Sequence, residues 1–154
     1  MGSVTNELRV LPRETIVCPT NGKPGKQVDT QTVKAMLTLP LTEIRQTKYY
    51  FCREADCPTV YYSVDGTQVF GEFDLRERVY QKHMNEDDVF VCYCFRYTPA
   101  GIRDELRETG KSSVIESIND GIRSGKCACD IRNPQGSCCL GNVNKLVKSI
   151  QVIQ

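Results

Sequence analysis

The sequence predicts an α+β protein, with a small β module over residues 14–75 followed by a helical (helix-turn-helix) module over residues 86–148. Three observations carry that prediction. Short runs rich in Tyr, Val and Thr around Asp65-Gly66 read as paired strands. Two apolar-periodic segments, 98–110 and 113–125, are bounded by capping residues and glycines and read as consecutive helices. Nine cysteines fall into two groups, three between 18 and 57 and six between 92 and 139. A chain of this length is one compact core or two small ones, and a small module with little apolar core commonly folds around a metal.

Composition narrows the function classes. Twenty Lys plus Arg against nineteen Asp plus Glu give a net charge of +1, so no broad basic field attracts nucleic acid. The N-terminus, Met1 to Glu7, shows no basic run followed by an apolar core, and no stretch approaches the roughly 18 apolar residues of a membrane span. The expected setting is cytoplasmic. Thiols stay reduced there, so a cysteine-rich pattern favours metal ligands over disulfides, and an odd count leaves one thiol unpaired in any all-disulfide scheme.

Taken in order, residues 1–13 offer no periodic apolar face and read as a loosely docked arm. Thr15-Ile16-Val17 is a short apolar strand running into Cys18-Pro19-Thr20-Asn21-Gly22, half of a zinc knuckle: a thiol followed by a tight turn. The position three after Cys18, where a second ligand is expected, holds Asn21. Val28 to Leu39 places Val33, Met36 and Leu37 at helical spacing and stops at Pro40. Tyr49-Tyr50-Phe51 leads as a strand into Cys52-x4-Cys57, Thr59 to Val64 leads out, and Thr67 to Phe70 returns after Asp65-Gly66. That is the outline of a zinc ribbon, a hairpin whose turn carries a C-x4-C pair.

Residues 74–84 are charged, with Leu75 and Val79 one helical turn apart, and join the two modules. Val89-Phe90-Val91 enters Cys92-Tyr93-Cys94-Phe95. Thr98-Pro99 is an N-cap with Pro at the first helical position, Ile102 and Leu106 form the apolar face, and Gly110 ends the helix. Ser113-Val114-Ile115-Glu116 reads as a capping box, Ile115, Ile118 and Ile122 as the buried stripe, and Gly125 as the stop. Asn133-Pro134-Gln135-Gly136 is a turn, and Cys138 to Lys148 a third helix with Leu140, Val143, Leu146 and Val147 inward.

The chemistry follows from the thiols. Cys92-x-Cys94, then Cys127-x-Cys129 beyond a stretch long enough for two helices, then Cys138-Cys139, supplies four sulfurs for a [2Fe–2S] cluster. Free cysteines do fill cores as small hydrophobes, but C-x-C, C-x-C and C-C groupings beside glycines and turns suit that role poorly. Cys18, Cys52 and Cys57 read as ligands of a zinc ion that wants a fourth. His83 and Cys127 are the candidates for it, although a lone His in a charged segment is more commonly just solvated. Paired carboxylates, phosphate-binding glycine loops and nucleophile triads are absent, so the expectation is an electron-transfer or metal-handling protein rather than an enzyme. Adjacent Cys138 and Cys139 read as one ligand and one spare thiol.

At these residues the chain resembles the iron-sulfur and zinc-binding N-terminal domain of archaeal CopZ-type copper chaperones, from about Cys18 to about Val147. The most specific pieces are Tyr-Tyr-Phe-Cys-x4-Cys-Pro-x-Val-Tyr at 49–61, Val91-Cys92-Tyr93-Cys94-Phe95, and Asn133-Pro134-Gln135-Gly136-Ser137-Cys138-Cys139-Leu140-Gly141. The C-terminal half is also similar to the helix-turn-helix [2Fe–2S] fold of bacterioferritin-associated ferredoxins. The resemblance implies Cys92 and Cys94 as cluster ligands, with Cys129 preferred to Cys127 as third and Cys138 preferred to Cys139 as fourth. It implies zinc at Cys18, Cys52 and Cys57, with Asn21 departing from the family's C-x-x-C. No heavy-metal-binding domain with its own C-x-x-C follows in this sequence, so copper hand-off through one is not expected.

The leading functional expectation is therefore a one-electron carrier serving a redox partner protein, linked to copper or heavy-metal ion reduction or trafficking. The alternative is a Cu(I)-binding metallochaperone or sensor that uses the spare thiols Cys127 and Cys139, since soft thiolates select Cu(I). A third is an interaction module that both metals merely hold together.

Overall fold

The computed structural model describes residues 16–153. The arm expected over 1–13, and the first residues of the module expected to begin at 14, lie outside the described residues. The chain is α+β: a four-stranded antiparallel sheet followed by helices. Strands β1 (Lys26–Val28), β2 (Tyr49–Phe51), β3 (Thr59–Ser63) and β4 (Val69–Gly71) lie in the order β1-β2-β3-β4. Tyr50 faces Tyr62 and Phe51 faces Tyr61, a register that sets aromatic against aromatic across the pair. Gly66, at φ 73°, makes the turn between β3 and β4 that Asp65-Gly66 announces.

Three expectations change in the N-terminal half. Val17 pairs with Pro24 in a single bridge rather than in a strand. The helix expected from Val28 is shorter: Val28 closes β1, and helix α1 spans Thr30–Met36. The joining segment 74–84 is not one helix: 3-10 turns at Glu72–Asp74 and Tyr80–Lys82 flank an irregular stretch in which Leu75 and Val79 are both buried. Val28, Val33, Met36, Leu37, Ile44, Phe51, Tyr61 and Phe70 make the first apolar cluster, between α1 and the sheet.

The helical half begins with α2 (Pro99–Thr109) and α3 (Val114–Arg123). Thr98 caps α2 by accepting from the Gly101 N–H, and Gly110 ends it in the left-handed region at φ 76°. The expected capping box at Ser113 does not form: its hydroxyl bonds Glu105 Oε2 of α2 instead, which ties the two helices together. The buried stripe of α3 is Val114, Ile118 and Gly121, one step round from the expected Ile115–Ile118–Ile122, and Ile122 is exposed. The reason is Phe95. Its ring lies on Gly121, where a Cβ would stand 2.2 Å from Phe95 Cζ, so α3 turns its small residue toward the loop that carries Cys92 and Cys94.

A short helix α4 (Cys129–Arg132) precedes the Asn133–Gly136 turn, and α5 runs Leu140–Ile153. A second apolar cluster joins Val91, Tyr93, Ile102, Leu106, Val114, Ile118, Val143, Leu146 and Ile150. The halves meet through backbone contacts. Tyr61 donates from its buried hydroxyl to the Pro134 carbonyl at 2.5 Å, and Thr32 Oγ1 donates to the Asp130 carbonyl at 2.7 Å. The first satisfies a buried turn carbonyl that packing would otherwise leave dry, and the second ties α1 to α4.

Candidate metal centres

The first centre lies at the end of the sheet. The Cys18 loop closes on itself, with Cys18 N–H donating to the Lys23 carbonyl and Gly22 N–H to the Cys18 carbonyl. It brings that thiol against the Cys52–Cys57 turn at the β2–β3 end. Cys18, Cys52 and Cys57 are all buried, and their sulfurs lie within 4.8 Å of one another, Cys18 and Cys57 at 3.9 Å. Burial pushes the Cys18 thiol up, but N–H groups of Asn21 and Thr20 outweigh it and hold the thiol below its ordinary value. Burial prevails at Cys52 and raises it. Such N–H···S bonds are what a knuckle supplies to a thiolate bound to metal.

The fourth position differs from every sequence candidate. Asn21 Oδ1 accepts from the Lys23 N–H at 2.8 Å, which turns Nδ2 toward Cys52 Sγ at 3.2 Å. His83 has both ring nitrogens engaged, Nε2 on Glu72 at 2.7 Å and Nδ1 on Glu86 at 2.5 Å. Cys127 is 3.7 Å from Cys129, in the other centre. Beside the trio sits a residue that sequence reasoning passed over as a strand aromatic. Tyr62 is 1% exposed, stacks on Tyr50 and shares the cluster of Cys18, Cys52 and Cys57, and its hydroxyl has no hydrogen-bond partner among the described residues. Burial and the nearby thiols push that phenol up to about 12. The donor set thus supplies three of the four ligands that a structural zinc ion takes.

The second centre gathers thiols from three places. Cys92 and Cys94 sit on a loop pinned shut by Tyr97, whose N–H donates to the Cys92 carbonyl and whose own carbonyl accepts from Val91 and Cys92. Arg96 takes the left-handed conformation, φ 65°, to close it, and its guanidinium lies 4.6 Å from the Phe90 ring centroid and bonds Glu77. Tyr93 fixes the loop from behind, donating to the Arg78 carbonyl and accepting from the Tyr80 N–H. Cys127 and Cys129 arrive just before and at the start of α4, and Cys139 immediately before α5.

Cys94, Cys127 and Cys129 have sulfurs within 4.8 Å of one another, Cys94 and Cys129 at 3.5 Å. Cys92 and Cys139 are buried in the adjoining apolar cluster, and the Cys139 thiol acts on those of Cys92 and Cys129. Five thiols are thus gathered here, with Cys129 in contact with both Cys94 and Cys127. The Cys139 bond holds Cys92 down to about 7 and Cys129 down to about 5, against the effect of burial. Cys139 is pushed far up, chiefly by donating to those two, and burial raises Cys94 to about 12. Cys138, the fourth ligand preferred from the resemblance, is exposed, and Cys139 occupies the interior place. Cys138 faces a groove with Lys26, Arg53, Met84 and Lys145.

Fold and sites together define a thiolate-rich metal protein on a β module joined to a helical one. Residues 15–76 match a family described as a zinc binding domain of the CopZ type. The X-ray structure of the Archaeoglobus fulgidus CopZ N-terminal domain is similar along most of its length: 30% identity, 84% of this chain and 96% of that one covered, TM-score 0.69. No curated protein matches the chain. The chain belongs to the family of CopZ-type N-terminal domains. No helix among the described residues is long and apolar enough to cross a membrane.

Proposed function

We propose that this chain is a metal-handling protein of the copper-chaperone kind and not an enzyme. In this reading Cys92, Cys94, Cys129 and Cys139 hold a [2Fe–2S] cluster, and Cys127 and Cys138, outside that set, take up Cu(I). The observation that carries it is the gathering of five thiols, with Cys94, Cys127 and Cys129 within 4.8 Å of one another and buried Cys92 and Cys139 acting on Cys129 from the adjoining core. Core packing has no use for five thiols gathered in one place, and their protons are what metal binding would displace. When bound, the cluster supplies a one-electron couple. The chain's own residues fix the Cys92–Cys94 loop through Tyr93, Arg96 and Tyr97 and cover it with Phe95.

The CopZ kinship supports metal handling more than the dedicated electron carrier that the sequence put first, and a redox partner protein has no support from it. Nine free cysteines suit a reducing, cytoplasmic setting. Two separate apolar clusters support the division into modules at 14–75 and 86–148. The thioether of Met84 beside exposed Cys138 gives the groove two soft donors.

The test is anaerobic purification with iron, sulfide and zinc analysis, followed by Cu(I) titration against a competing chelator. Iron and sulfide in equal amount, and Cu(I) uptake reduced in Cys127→Ser and Cys138→Ser with iron unchanged, is the expected result. Absence of sulfide sinks the cluster assignment, and Cu(I) uptake unaffected by either substitution sinks the spare-thiol role.

A further inference from the structure

The centre at Cys18, Cys52 and Cys57 is built for three ligands, and Asn21 is the residue that makes it so. Its amide is locked by the Lys23 N–H, so the group aimed at the trio is an N–H donor on Cys52 rather than an oxygen lone pair. Among the described residues no fourth Cys, His, Asp or Glu joins the group, and residues 1–15 contain neither Cys nor His. A zinc ion held by three protein ligands keeps an open position for water or another ligand, the arrangement of reactive rather than structural sites. Cu(I) is complete with three thiolates in a plane, and soft thiolates select it.

One further feature suits the monovalent ion, and a second suits the metal-bound state. Three thiolates around Cu(I) leave a more negative centre than three around Zn(II), and donors stand ready to offset it: the Asn21 amide donates to Cys52 Sγ at 3.2 Å, and the backbone of Thr20 and Asn21 lowers the Cys18 thiol. The buried Tyr62 hydroxyl has no partner among the described residues. A buried donor left dry costs about 1–3 kcal/mol, and the lone pairs of metal-bound thiolates beside it are acceptors that a set of neutral thiols offers only weakly. Cys57 also borders a surface recess with Asp56, Glu72, Lys82 and His83, which places the trio close to solvent on that side.

We infer that Cys18, Cys52 and Cys57 form a three-thiolate site that takes Cu(I) in preference to Zn(II), with Asn21 as the positioning residue that sets this selectivity. The inference deepens the metal-handling reading and rests on it. The experiment uses the full chain, titrated with Cu(I), Zn(II) and Co(II) in the presence of competing chelators, as wild type, Asn21→Cys, Asn21→Ala and Cys18→Ser.

The wild type is expected to bind one Cu(I) that Cys18→Ser loses, with three sulfur neighbours by X-ray absorption. Asn21→Cys is expected to raise zinc affinity at least about tenfold, the scale on which ligand surroundings tune metal sites, and to give Co(II) the visible spectrum of a tetrahedral four-thiolate site. Asn21→Ala, which adds no ligand, should keep three sulfurs and weaken Cu(I), so the inference stays testable if the cysteine variant misfolds. Zinc retained by the wild type against equimolar Cu(I), or zinc affinity unmoved by Asn21→Cys, overturns it. Cu(I) bound equally by wild type and Cys18→Ser also overturns it while sparing the metal-handling reading, and no Cu(I) bound by either overturns both.

Discussion

The two thiol centres are assembled by opposite means. Around Cys18 the chain hangs sulfurs on two local turns, a knuckle loop and the Cys52–Cys57 end of a hairpin, and closes the site with backbone and amide N–H groups. Around Cys129 it draws sulfurs from a strained loop, the start of one helix and the start of another, positions that only helix packing brings together. The first centre is one thiol short of a four-ligand zinc site, and the second gathers more thiols than the four that the proposed cluster takes. A local site therefore depends on single side chains such as Asn21, whereas a site gathered from distant segments depends on the packing of α2, α3 and α5.

The sharpest way to break the contrast is at the central thiol of the second centre. Cys129→Ser removes the sulfur that touches Cys94, Cys127 and Cys139, and bound iron and sulfide are expected to be lost in elemental analysis. Cys138→Ser, at the exposed neighbour, should leave both unchanged, and equal losses in the two variants would refute the Cys139 assignment. Next in size is Gly121→Ala. Its Cβ would meet three ring atoms of Phe95 at 2.2–2.8 Å, so overpacking should cost about 1–3 kcal/mol in urea unfolding and shift the cluster's visible spectrum through the displaced Cys92–Cys94 loop. The first centre should keep its metal.

A smaller effect probes the tie between the halves. Tyr61→Phe deletes the bond to Pro134 and is expected to cost about 1 kcal/mol, and to separate the unfolding of sheet and helices into distinguishable steps by circular dichroism. The smallest effect is at His83. Burial pulls its pKa down, but the bonds to Glu72 and Glu86 outweigh burial and hold it above the ordinary value. A raised folded-state pKa means the stabilisation is fully present below the unfolded value near 6.5, and is lost as pH rises through the folded value. Solvent screens this part-exposed pairing, so its contribution is small. His83→Ala should flatten the stability-pH curve on the weakly acidic to neutral side without changing metal content.

Much of the fold was readable because its signals are local. The Asp65-Gly66 turn, the Thr98-Pro99 start and Gly110 stop of α2, and the grouping of cysteines depend on residues within a few positions of one another. The misread details all concern competition from afar. Val28 was counted into a helix because its apolar spacing fits one, but pairing with Tyr49 draws it into β1. Ser113 looked like half of a capping box until Glu105, a turn away on the neighbouring helix, claimed its hydroxyl. The stripe of α3 rotated because Phe95 needs the space over Gly121.

By itself the sequence determined the fold class, the two sets of thiols and the shortfall at Asn21, since turn chemistry and ligand type are properties of the residues. Only the tertiary structure decided which sulfurs meet. Cys138 and Cys139 are chemically identical neighbours, and the packing of α5 on α2 and α3 points one into the centre and leaves the other in the groove. The partners of His83 and Asn21 are likewise a matter of tertiary structure. Glu72 and Glu86 take up the imidazole, and the Lys23 N–H turns the amide. A polar side chain's role is fixed by the partner that reaches it first, and that partner is chosen by the fold.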